Sequence, residues 1–188
     1  MENLKLYHLD RSKELSEGQN ILLFNDYEYG QDESDIMRKI DANLKNMFPQ
    51  GISEHGLRYI FNNISILHKK EMSTEGFISN TVCETIFEAI RAGKYPEKLS
   101  RFQSFFAVDE DGLKKIKIRW KGANFNVVQV TADIVFRYDM SLLKGDSFVG
   151  CSYFANEYWS GKSSDDPLYE YLLKPPVKII KIVEMDVL

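Results

Sequence analysis

Cysteine is scarce in this chain of 188 residues: there are two, Cys83 and Cys151, with no Cys-x-x-Cys spacing and no histidine at ligand distance along the sequence. That pattern argues for reduced thiols in a cytoplasmic setting and against a structural zinc site. Histidine is nearly as rare. With only His8, His55 and His68 present, and neither cysteine near one in sequence, a Cys/His nucleophile has no local support. Long apolar runs are also missing: Val177 to Val183 is broken by Lys178 and Lys181, far short of the ~20 residues a membrane helix needs. The opening MENLKLYHLDR carries Glu2, Lys5, Asp10 and Arg11 where a signal peptide would be apolar, so neither export nor membrane contact is expected. The glycine-rich phosphate loops, the HExxH helix and the GxSxG elbow are all absent. No repeat and no Pro/Gly/Ser-rich linker divides the chain, so residues 1–188 read as a single domain.

What is present is ordinary for a folded protein: 44% apolar residues, 28% charged residues of mixed sign, 13% aromatics and a net charge of −4. Leu4, Leu6 and His8 alternate with Lys5, Tyr7 and Leu9 as in a strand, and a polar loop from Asp10 to Asn20 precedes the apolar run Ile21 to Phe24. From about Ser34 to His68 the period becomes helical. Ile36, Ile40, Leu44 and Met47 mark one helix, and Ser53 caps a second through Leu57, Ile60, Phe61 and Ile64. A third runs from Asn80 or Thr81 to a C-terminal cap at Gly93. After Pro96 the strands dominate: Phe102 to Val108, Asn126 to Thr131, Leu168 to Leu173 and Val177 to Val187, with short helices over Asp109 to Trp120 and Cys151 to Trp159. Helices gather in the first half and strands in the second without βαβ alternation. The fold class is therefore α+β with antiparallel sheet, and a doubly wound nucleotide fold is disfavoured.

Charge is unevenly spread. Residues 1–41 hold ten acids and five bases, whereas residues 94–122 hold eight bases and four acids. Lys114, Lys115, Lys117, Arg119 and Lys121 form either a surface for a phosphate-bearing partner or simply a solvated helix face.

Three short segments carry chemistry. In Leu6-Tyr7-His8 the histidine shares a strand face with Leu4 and Leu6, either as a hydrogen-bonded core residue or as a ligand contact. Ser100-Arg101-Phe102-Gln103-Ser104-Phe105-Phe106-Ala107 places Arg101 and Ser104 in a strand dense in phenylalanine. In Asp166-Pro167-Leu168-Tyr169-Glu170-Tyr171-Leu172-Leu173, Glu170 falls on the face of Leu168 and Leu172. A carboxylate there needs a partner, or else the strand lies at an edge.

In order and in setting, these segments resemble the ADP-ribosyltransferase superfamily, in the branch with a histidine, an aromatic residue and a glutamate that diphtheria toxin and the poly-ADP-ribose polymerases share. There the first core strand ends in an aromatic-histidine or Gly-histidine pair, a middle strand reads Tyr-Phe-Ala before a short helix, and a late strand reads Leu-Tyr-Asn-Glu-Tyr-Ile-Val. Tyr7-His8, Phe105-Phe106-Ala107 and Leu168-Tyr169-Glu170-Tyr171-Leu172 are the matching stretches. Phe105 stands where tyrosine is common, and the late motif is one residue short.

The resemblance implies an antiparallel core of that superfamily and NAD as co-substrate, with no metal. Glu170 would stabilise the cationic character of the reacting ribose as its glycosidic bond breaks. His8, with Tyr7 beside it, would orient the dinucleotide through a ribose hydroxyl; Phe105 would wall the nicotinamide, and Ser104 or Arg101 would reach the carboxamide or pyrophosphate. Tyr158 and Trp159, before the small residues Ser160 to Ser164, would present the acceptor, although the same pair could close a helix onto the core. Leu168 stands where arginine-modifying relatives carry a second glutamate, which disfavours an arginine target. The implied function is mono-ADP-ribosylation of a cytosolic macromolecule, protein or nucleic acid, by a toxin of a toxin–antitoxin or phage-defence system with an antitoxin partner. The competing readings are a non-catalytic module that binds nucleic acid or protein, and a transferase fold without activity.

Overall fold

A computed structural model of the chain describes residues 4–25, 34–60, 80–119 and 125–183. It is α+β, as the segregation of helices and strands predicts. Two antiparallel sheets pack face to face. The first has the order β1 (Leu6–Asp10), β4 (Asn126–Thr131), β7 (Val177–Val183), β2 (Asn20–Ile21); the second has the order β3 (Phe105–Ala107), β6 (Tyr169–Leu173), β5 (Val135–Asp139). The helices are α1 (Asp35–Met47), α2 (Glu54–Ile60), α3 (Asn80–Lys94), α4 (Glu110–Arg119) and α5 (Phe148–Trp159).

Pleat parity explains the layering. Leu6, Val128, Val130, Val177 and Ile179 of the first sheet meet Ala107, Tyr171 and Leu173 of the second in one buried cluster. Residues of opposite parity face outward to helices: Tyr7 and Val127 pack on Leu113 and Ile116 of α4, while Leu172 packs on Phe87 of α3 and Ala155, Tyr158 and Trp159 of α5. The layers are thus α4, first sheet, second sheet, then α3 with α5. Strand β4 lies between a helix and a sheet, which is why Asn126–Thr131 is β-branched on both faces. The isolated bridge Tyr7↔Val108 ties the edge strand of one sheet to the edge strand of the other.

The local signals act as their chemistry requires. Ser34 caps α1 by accepting from the Met37 amide, and the Ser53 hydroxyl caps α2 by accepting from the Gly56 amide at 3.1 Å. Strand β4 has the expected bounds. Several differences have plain causes. Gly93 lies inside α3, which runs to Lys94, because the Arg91 carbonyl still accepts from the Tyr95 amide and the chain does not turn at the glycine. The stretch expected to be strand from Phe102 begins instead as a 3₁₀ turn, Arg101–Gln103, capped by Ser100. Helix α5 starts at Phe148, three residues before Cys151, because Ser147 supplies the cap. Strand β5 is announced by no clear alternation, since Arg137 sits between Phe136 and Tyr138. The expected helical turns over residues 61–68 and the strand end at 184–187 lie outside the described residues, as does Trp120. Among the described residues, no helix is long and apolar enough to cross a membrane.

Gly56 shows how closely α2 sits on the turn before β3. A Cβ there would lie 2.3 Å from the Phe102 carbonyl oxygen and 2.5 Å from Cγ2 of Ile52. Gly56→Ala should therefore destabilise the protein by roughly 1–3 kcal/mol in urea unfolding, reversing the ~1 kcal/mol helix-propensity gain of alanine; a stabilised variant would contradict this packing.

Candidate functional site

Two neighbourhoods hold the residues singled out by sequence, and they lie on opposite faces of the second sheet. The first is built around Arg101, placed beneath α3 and α5 by the 3₁₀ turn. Its guanidinium donates to both oxygens of Glu84 on α3, Nε to Oε2 at 2.8 Å and Nη2 to Oε1 at 2.9 Å. From Nη1 it donates to Glu170 Oε1 at 2.5 Å and to the Tyr158 hydroxyl at 2.9 Å. The Tyr158 hydroxyl in turn donates to Glu170 Oε1 at 2.8 Å. Arg101 and Glu170 are buried, with 3% and 5% of their surfaces exposed. The carboxylate on an apolar strand face thus has its partner, and β6 is the central strand of its sheet.

The electrostatics follow from burial against pairing. Burial works against the charge of Arg101, but Glu170 and Glu84 outweigh it and hold the guanidinium charged. Burial pushes Glu84 up, yet the charge and hydrogen bonds of Arg101, with His55 close by, bring its carboxyl down to about 2. Burial and Glu170 push the Tyr158 phenol well above its ordinary range, so it donates and does not ionise. His55 of α2 stacks on Phe106 at 4.4 Å and sets Nε2 3.7 Å from Glu84, where that nitrogen is buried without a hydrogen bond.

The second neighbourhood is the junction of β1 and β3. Tyr7 and Val108 exchange both backbone hydrogen bonds at 2.8 Å. An antiparallel ladder would next pair Leu9 with Phe106. Instead Nδ1 of His8 takes the Phe106 carbonyl at 2.7 Å, and its ring stacks on Phe105 at 4.2 Å. The imidazole is a wedge. It leaves the Leu9 N–H and C=O, which point toward β3 by strand alternation, without a backbone partner among the described residues. Burial pulls the His8 pKa down against the opposing effect of the Phe106 hydrogen bond, so the ring is neutral at neutral pH. With its proton on Nδ1, Nε2 keeps a lone pair for an incoming donor.

The pleat decides which other residues share that face. Phe105 pairs with Leu173, and Phe106 with Leu172, so Tyr171 faces the same way as Phe105 while Glu170 faces the same way as Phe106. The structure thus brings His8 and Phe105 together and sets Glu170 apart from them. Tyr171 occupies the face shared with Phe105, its hydroxyl donating to Asp109 Oδ2 at 2.8 Å. Burial, aided by Asp109, raises that phenol to about 12.

Several expected contacts are occupied internally. Tyr7 is buried, its hydroxyl 3.3 Å from Glu110, so only its backbone borders the junction. Ser104 is buried and donates to the Ser100 carbonyl at 2.6 Å, so it reaches no ligand. Arg101 is held as described. Tyr158 and Trp159 are fully buried, Trp159 donating from Nε1 to the Phe87 carbonyl at 2.8 Å, so they close α5 onto the core and present nothing to an acceptor. The following loop is pinned as Asp139 Oδ2 accepts from both the amide and the hydroxyl of Ser164 at 2.7 Å. In the basic segment Lys114 pairs with Asp111 and Lys115 with Asp166, which favours the solvated helix face. Sequence reasoning did not find Glu84 or His55. Glu84 sits on a helix whose surface is otherwise mixed, and only the buried arginine 17 positions later demands it.

An α+β domain of two packed antiparallel sheets, with a wedge histidine at their junction, is the class this geometry defines. The chain belongs to the family described as "Protein of unknown function (DUF2441)", whose model matches residues 6–185. The match takes in both neighbourhoods, from His8 to Glu170, and its description assigns no activity. No curated protein matches the chain.

The Arg101 cluster generates two expectations. Arg101→Met leaves two buried carboxylates without their cation and should cost about 3–5 kcal/mol in denaturant unfolding, with Arg101→Lys recovering only part because an ammonium cannot bridge both partners. A loss below 1 kcal/mol would mean that the cluster is not buried as described. Because the folded carboxyl of Glu84 lies below its unfolded value, its stabilisation is present above the unfolded value and disappears as pH falls toward about 2. Wild type should therefore lose stability more steeply than Glu84→Gln between pH ~4.5 and ~2. Parallel pH profiles would contradict the assignment.

Proposed function

We propose that the chain is an NAD-dependent ADP-ribosyltransferase that holds the nicotinamide end of the dinucleotide where β1 departs from β3. The N–H and C=O of Leu9, which have no backbone partner among the described residues and lie beside the wedged ring of His8, carry this reading. A primary carboxamide offers an acceptor oxygen and a donor nitrogen in one plane, the complement of one residue's N–H and C=O. Phe105 supplies the adjacent aromatic wall, and Nε2 of His8 accepts from a ribose hydroxyl. Transfer breaks the bond between the ribose anomeric carbon and the nicotinamide nitrogen, which keeps the electron pair. The anomeric carbon then bonds to a nucleophile of a protein or nucleic acid, which gives up its proton. A cytosolic acceptor, and a place in a toxin–antitoxin or phage-defence system, rest on the family resemblance of the motifs.

One observation favours a second reading. Oε1 of Glu170 is held by both Arg101 and Tyr158 on the face away from His8, so the same junction could bind NAD without cleaving it. Calorimetric titration with NAD and measurement of released nicotinamide separate the two. Binding with release supports transfer, binding without release supports the second reading, and absence of binding overturns both. His8→Ala should weaken NAD binding about tenfold or more while leaving the thermal midpoint nearly unchanged, since the Leu9 amide then takes the vacated Phe106 carbonyl and no longer meets the carboxamide. Early melting of that variant would instead make His8 a core residue.

A further inference from the structure

The two cysteines are 68 residues apart in sequence and adjacent in space. Cys151 of α5 donates from Sγ to Cys83 Sγ of α3 at 3.5 Å. Both are free thiols. Cys151 is fully buried, and a Cβ at Gly145 would lie 2.5 Å from its sulfur, so the loop before α5 holds it in place. Cys83 is half-buried and lines a cavity of about 180 Å³ with Tyr59, Glu84, Phe87 and Leu143. One sulfur is therefore reachable from solvent, and the other waits directly behind it.

We propose that Cys83 and Cys151 form a thiol–disulfide modification site at which a small disulfide is reduced and α3 becomes bonded to α5. The Cys83 thiolate attacks one sulfur of the small disulfide, and the other leaves as a thiolate, giving a mixed disulfide on Cys83. Cys151 then gives its proton to solvent and attacks the Cys83 sulfur, releasing the second small thiolate. Two protein thiols become one protein disulfide, and one small disulfide becomes two thiols. Burial and the neighbouring Cys151 thiol push Cys83 up to about 12, so the exchange is slow at neutral pH and suits a standing redox balance better than a rapid peroxide burst. Its structural consequence is local to the Arg101 cluster, because Glu84 follows Cys83 on α3 and Tyr158 lies on the same helix as Cys151.

The test incubates the full chain with oxidised glutathione at pH 8.5 and follows mass, free thiols and thermal midpoint. The expected product is a monomer lighter by two hydrogens, with both thiols gone, no glutathione retained and a midpoint raised by about 10 °C until dithiothreitol restores it. Cys151→Ala should stop at the intermediate and keep one glutathione on Cys83. Two unreacted thiols in the wild type, glutathione retained on both cysteines, or a disulfide-linked dimer would each overturn the proposal. The wild-type measurement decides the matter even if the variant fails to fold. None of these readouts involves NAD, so failure here leaves the transferase reading untouched, and the reverse also holds.

Discussion

A single guanidinium organises one half of this molecule. Arg101 is buried where α3, α5 and β6 converge, and each of them presents it an oxygen: Glu84, Tyr158 and Glu170. Desolvating an arginine is costly unless its donors and its charge are met, and here two carboxylates and a phenol accept four hydrogen bonds from it. The same demand explains why the chain makes a 3₁₀ turn at Arg101–Gln103, where an extended strand would have carried the side chain away from Glu84. It also explains the burial of Tyr158 at the end of α5, with Trp159 following it into the core.

The other face of the second sheet is governed by an interruption. Had β1 and β3 continued their ladder beyond Tyr7 and Val108, the two sheets would share a closed seam. His8 prevents that by taking the Phe106 carbonyl with its side chain, and the backbone groups of Leu9 have no backbone partner among the described residues. Glu170 faces the other side of β6, where Arg101 and Tyr158 hold it.

Much of the architecture was legible because it depends on local rules. Ser34 and Ser53 cap helices where hydroxyls should, β4 buries a valine on each face because it lies between layers, and the crowding of helices before strands gives α+β. Strand alternation also places the His8 ring on the face of Leu6, and in the structure that ring meets Phe105, a contact no local pattern announces. What could not be read was pairing across distance. Glu84 lies 17 residues before Arg101, and Cys83 lies 68 residues before Cys151, with no periodicity to announce either pair. Tyr158 and Trp159 looked like a platform because aromatics beside a small-residue loop suit one. Their burial follows from Arg101 and from the Phe87 carbonyl, neither of which is near them in sequence.

The notch at Leu9 is best tested by backbone amide NMR of the full chain during titration with nicotinamide, the smallest ligand that carries the carboxamide. If the Leu9 N–H and C=O receive it, the largest shifts fall on the amides of Leu9 and Phe106, with the His8 ring protons following, while Glu84 and Tyr158 stay still. Shifts centred on the Arg101 cluster, or none at saturating nicotinamide, would contradict a carboxamide site at the junction of the two sheets.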